Sequence, residues 1–114
     1  MLKVMNDFHV LRCPVARASS IIGSRWTALI LRDLILKDAC RYQDLLESLV
    51  GVPPNTLSDR LKMLEQNGIV ERRFYEQHPP RAEYLLTKKG KDLALVIRAM
   101  RDWGNKYVAP PPAS

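Results

Sequence analysis

Three leucines, Leu57, Leu61 and Leu64, recur at helical spacing, and the pattern stops abruptly at Asn67-Gly68. That spacing predicts one buried stripe on a helix from about Pro54 to Gln66, ended by Gly68 in the left-handed conformation. The period then changes. Ile69-Val70-Glu71-Arg72-Arg73-Phe74-Tyr75 and Ala82-Glu83-Tyr84-Leu85-Leu86-Thr87 read as strands, and Gln77-His78-Pro79-Pro80-Arg81 reads as the loop joining them into an antiparallel hairpin. A helix ended sharply and followed at once by a hairpin leaves few folds open.

The flanking segments narrow the choice. Tyr42 to Ser48 predicts a short helix with Leu45, Leu46 and Leu49 turned inward, and Gly51-Val52-Pro53-Pro54 is a tight turn. Upstream, Pro14 opens a first helix carrying Val15, Ala18 and Ile22 on one side. Ser24 caps a second, Arg25 to about Lys37, apolar around much of its circumference and so expected to be buried on more than one side. Thr87 caps a final helix in which Leu93, Val96, Ile97, Met100, Trp103 and Tyr107 recur every three or four residues. The fold class expected is mainly α with a small β-hairpin (α+β), a winged helix-turn-helix with helices added at both ends. One domain is expected over residues 1–108, with the helix-turn-helix at about 42–67, the wing at about 69–87 and a dimerisation helix at about 88–107. Residues 109–114, rich in proline, form a flexible tail.

If the leucine stripe faces the core, the opposite side of its helix faces outward. That side carries Pro54, Asn55, Thr56, Ser58, Asp59 and Lys62, with Arg60 on the flank. Short polar side chains and cations are suited to base edges and phosphates of double-stranded DNA. A plain solvated face is the alternative. Net charge is +6, and Arg72, Arg73, Arg81, Lys88, Lys89 and Lys91 outnumber Glu76 and Glu83 in their stretch. At the loop, His78 and Arg81 flank two stiffening prolines, which suits Arg81 to a minor-groove or phosphate contact. Pairing of Arg81 with Glu76 or Glu83 is the alternative.

Several classes are set aside. No stretch approaches the ~20 apolar residues of a membrane span, and the N-terminus lacks a signal-peptide core, so a cytoplasmic, nucleoid-associated protein is expected. Cys13, Cys40, His9 and His78 have no metal-ligand spacing, and there is no cofactor motif. No nucleophile and base fall together, so no enzyme is expected. A winged helix that binds protein rather than DNA remains the second reading.

The motifs Cys13-Pro14-Val15, Ile22-Gly23-Ser24-Arg25-Trp26, Ile30-Leu31-Arg32-Asp33-Leu34, Leu57-Ser58-Asp59-Arg60-Leu61-Lys62-Met63-Leu64-Glu65, Asn67-Gly68-Ile69-Val70 and Pro79-Pro80-Arg81-Ala82-Glu83-Tyr84-Leu85-Leu86-Thr87 resemble the HxlR-type subgroup of the MarR-like winged-helix regulators. The resemblance runs from about Cys13 to Gly104. Two places depart from it: Ser24-Arg25 stands where glycine-lysine is usual, and Pro53-Pro54 where a capping hydroxyl is common. The resemblance implies a bacterial or archaeal homodimer whose recognition helix enters the major groove while the wing touches the flank. Phe8, Leu11, Val96, Met100, Trp103 and Tyr107 are the residues expected at the dimer interface. Cys13, just before a helix N-terminus, is expected either to sense oxidants or electrophiles or to be a small buried residue or an N-cap, and a small-molecule effector at the dimer interface is left open. Cys40 reads as structural.

Overall fold

The computed structural model describes residues 12–113. Among the described residues six helices and three strands follow in the order α1 (Pro14–Ile22), α2 (Arg25–Lys37), β1 (Ala39–Arg41), α3 (Tyr42–Ser48), α4 (Pro54–Gln66), β2 (Val70–Gln77), β3 (Pro80–Leu86), α5 (Lys88–Lys91) and α6 (Ala94–Tyr107). The architecture is mostly helical, with one antiparallel sheet in the order β1-β3-β2.

The core is built on the leucine stripe. Leu57, Leu61 and Leu64 of α4 are buried together with Ile30, Leu31 and Leu34 of α2 and with Leu45 and Leu49 from α3 and its end. Burying each leucine contributes about 1.5–3 kcal/mol. Ser24 caps α2, its hydroxyl accepting from the Thr27 N–H at 3.4 Å. Asp44 secures the start of α3. Its carboxylate accepts from the Arg41 N–H at 2.9 Å and from the Arg41 guanidinium at 2.8 Å. Those donors hold Asp44 below the usual carboxylate range, and its carboxylate in turn pushes the Arg41 guanidinium up. Gly68 has φ +70°, the left-handed geometry expected where α4 stops.

Four expectations are corrected. The sheet has three strands rather than two, because Ala39-Cys40-Arg41 pairs with Leu85, Tyr84 and Glu83. The hairpin is longer than its apolar pattern. Its strands reach Gln77 and Pro80, so Gln77, Pro80 and Arg81 belong to strands and only His78-Pro79 turns. The final helix is broken: Thr87 caps only the short α5, its hydroxyl accepting from the Gly90 N–H at 3.1 Å, and α6 starts afresh at Ala94. The apolar side of α1 is not buried, Val15 being 75% exposed, whereas α2 is covered on more than one side as expected, with Leu36 left outside. Phe8 and Leu11 lie outside the described residues.

The break at α5 has a steric role. Gly90 is buried against the chain that leaves α4, and a Cβ there would lie 2.1 Å from the Ile69 carbonyl oxygen, a backbone atom that cannot step aside. Around this contact Thr87 donates from its backbone N–H to Ile69 O at 3.0 Å and from its hydroxyl to Gly68 O at 2.5 Å. Lys89 adds an ammonium bond to Asn67 O at 2.7 Å. Gly104, in the last turn of α6, has open space around it. Gly90→Ala should therefore cost about 1–3 kcal/mol of unfolding free energy by overpacking, whereas Gly104→Ala should be neutral or stabilising by up to ~1 kcal/mol. Urea titration of both variants checks the contrast.

Candidate nucleic-acid interface

The buried stripe of α4 dictates what its other face shows. Asn55, Ser58, Asp59 and Lys62 are all exposed, and Gln66, absent from the sequence-based set, continues the same face by one turn. Pro54 is exposed at the helix start. Thr56 and Arg60 sit on the flank and are half-buried, and the Arg60 Nε is shielded from solvent without a hydrogen-bond partner among the described residues. Neither projects as freely as the other four.

The start of α4 is unusual. Pro53 holds the N-cap position and offers no side-chain oxygen, and Pro54 follows at the first helical position. The hydroxyl of Tyr42, from the first turn of α3, lies there instead, donating to Pro54 O at 3.2 Å and accepting from Ser58 Oγ at 3.5 Å. Tyr42, Ser58, Lys62, Glu65, Arg72 and Tyr84 line a polar slot of about 260 Å³ between α4 and the sheet. Burial pushes the Tyr84 phenol up from its ordinary value. Sequence reading missed Tyr42, Arg72 and Tyr84, because nothing in their spacing shows that the sheet folds back against α4.

The hairpin carries its own counter-charges. Arg73 pairs with Glu83 at 2.6 Å, Arg72 with Glu65 at 3.8 Å, and Arg81 with Glu76 at 3.3 Å. The last is the cross-hairpin pairing that the sequence left open. Glu71 adds a further acid, so the hairpin is not the concentrated basic element expected, and the unbalanced charge falls on Lys88, Lys89 and Lys91 of α5. Arg81 and Glu76 are each about half exposed. Exposed pairs of this kind contribute ~0–1 kcal/mol, so the arginine can exchange its partner. His78 stands in the exposed turn at the hairpin tip.

On α6, Ile97 and the preceding Leu93 pack against the core, while Val96, Met100, Trp103 and Tyr107 point outward. Trp103 is 62% exposed, and its ring lies 5.3 Å from that of Tyr107. Among the described residues there is no cluster of potential metal ligands, and no helix is long and apolar enough to cross a membrane.

A short helix, a tight turn, a second helix with one polar face and a hairpin packed beside it define a winged helix-turn-helix. A family model described as HxlR-like helix-turn-helix matches residues 21–111. The chain belongs to the HxlR-like helix-turn-helix family. It is 34% identical over 99 residues to the HTH-type transcriptional regulator YodB of Bacillus subtilis, covering 86% of this chain and 88% of that protein. The reduced form of YodB superposes with a TM-score of 0.71 over 88% of this chain and 98% of that one. The redox regulator HypR in its oxidized form, 30% identical, superposes with a TM-score of 0.79 over 86% of this chain and all of that one. An uncharacterized HTH-type transcriptional regulator of Mycobacterium tuberculosis is 41% identical over 97 residues, which is 85% of this chain but 60% of that protein. The chain thus spans about three fifths of that relative.

The two cysteines differ in kind. Cys13 is exposed at the N-cap of α1 and its side chain makes no capping bond. Cys40 is buried in β1, donates weakly to Asp33 O at 3.9 Å, and is pushed up in pKa by that burial. Treatment of the native protein with iodoacetamide should label Cys13 within minutes and spare Cys40 until the chain is unfolded. Peptide mass mapping reads the outcome, and early label on Cys40 would contradict its burial.

Proposed function

We propose that the chain is a sequence-specific regulator of transcription that binds double-stranded DNA as a homodimer on an inverted repeat. The observation that carries this is the single exposed face of Asn55, Ser58, Asp59 and Lys62, held outward by the buried leucines behind it. In this reading α4 lies in the major groove, with Asn55 and Ser58 at base edges and Pro54, Thr56, Asp59, Arg60 and Lys62 at bases or the adjoining backbone. The wing reaches the flank through His78 and Arg81, the latter leaving Glu76 for a phosphate.

Dimerisation rests on the uncovered apolar side of α6. Val96, Met100, Trp103 and Tyr107 form a surface too apolar to leave in water on a chain of this size. Pairing two copies through it sets two recognition helices roughly 34 Å apart, one turn of DNA. The protein then works in the cytoplasm, on the nucleoid.

The test is a titration of an inverted-repeat operator, selected from a random library, at rising salt. Affinity should fall steeply with salt, and Lys62→Ala, which removes one contact from each protomer, should lower the logarithmic slope by about two. Arg81→Ala should weaken binding to all sequences alike, and Asn55→Ala should change base preference by ~1–3 kcal/mol at one position. A flat salt response would point to a winged helix that binds protein instead.

Signal input is proposed at Cys13, on its exposure at a helix N-terminus and on the likeness to the redox regulator HypR. Oxidation of the thiol alters the dimer and with it operator affinity. Diamide should change operator binding by the parent protein and leave Cys13→Ser unaffected, as read by gel shift. An equal response from both proteins rejects the sensor and leaves Cys13 a plain residue at the N-cap position.

A further inference from the structure

Beside the uncapped start of α4, Tyr42 adds a second hydroxyl to the polar face. A carbonyl oxygen can only accept, so the shorter contact, Tyr42 to Pro54 O at 3.2 Å, fixes where the phenol's single proton goes. The Tyr42 oxygen is then left as an acceptor, and the Ser58 hydroxyl, 3.5 Å away, turns its own proton toward it. That contact is long for an O–H···O pair. It biases a freely rotating hydroxyl rather than clamping the helix. The consequence is chemical: Ser58, exposed on the outer face, is biased toward showing its lone pairs outward and keeping its proton turned to Tyr42.

We infer that Tyr42 is a specificity-determining positioning residue, which holds the Ser58 hydroxyl as an acceptor so that α4 selects an amino group in the major groove. This rests on the DNA-reading function proposed above. An amino donor is presented there by adenine at N6 and by cytosine at N4, whereas guanine and thymine present acceptors. Ser58 therefore favours adenine or cytosine on the strand it faces. A serine free to rotate reads either kind of edge, so the selectivity belongs to the Tyr42–Ser58 pair and not to Ser58 alone.

The experiment compares the parent chain, Tyr42→Phe and Ser58→Ala by selection from randomised duplex DNA, followed by competition binding against single-base variants of the preferred site. Tyr42→Phe keeps the ring and its packing and removes only the hydroxyl. The readout is the ratio of affinities between bases at each position, which cancels any general loss of binding or folding. The parent should prefer adenine or cytosine over guanine and thymine at one position, by ~10-fold. Both variants should lose most of that ratio at the same position and keep their preferences elsewhere. An unchanged ratio in Tyr42→Phe overturns the inference, as does an unchanged ratio in Ser58→Ala or a guanine or thymine preference in the parent at the position Ser58→Ala affects. In each of those cases DNA reading itself stands. A parent chain that binds all duplexes equally overturns the function and this inference together.

Discussion

The buried contact of Leu57, Leu61 and Leu64 with α2 and α3 governs the rest of the molecule. A helix has one circumference, and committing one side to the core leaves the other committed to solvent at fixed angles. Position and orientation of the reading face are therefore by-products of hydrophobic packing. The geometry holds as firmly as the core does, because rotating α4 to present a different face would pull leucines out of a close-packed interior.

The wing obeys a different physics. Its arginines are balanced by Glu65, Glu76 and Glu83 at distances between 2.6 and 3.8 Å. These exposed pairs do little for stability. They do change what happens when a polyanion arrives. A lone cation brings a phosphate and releases salt, whereas a paired one first surrenders its glutamate, and that carboxylate then repels the same phosphate. Under the function proposed above, contact at the wing is a contest between two anions for one guanidinium.

Much of this was legible in the sequence because it depends on periodicity. The leucine stripe, the cap at Ser24, the stop at Gly68 and the hairpin each leave a local signature, and the polar side of α4 follows from the stripe by subtraction. What was not legible depends on distance. Ala39-Cys40-Arg41 is too short to show alternation, and only its pairing with β3 makes it a strand. The ion pair of Arg81 with Glu76 could be narrowed to two partners but not chosen, since cross-strand register decides it. Tyr42 looked like the opening residue of a short helix, and its reach to Ser58, sixteen positions on, comes from the turn between the helices. Gly90 carried no signal because its constraint is another segment's carbonyl.

That glycine has a mechanical consequence. At α5 the chain rests directly on the Ile69 carbonyl, and Thr87 and Lys89 grip the three successive carbonyls of Asn67, Gly68 and Ile69. The residue after that grip leads within a turn into α6, and the residue before it is the last of α4. The end of α4 and the approach to α6 are therefore joined through one short segment, seated on backbone carbonyls rather than on side chains alone, so a side chain cannot repack there to absorb a larger residue.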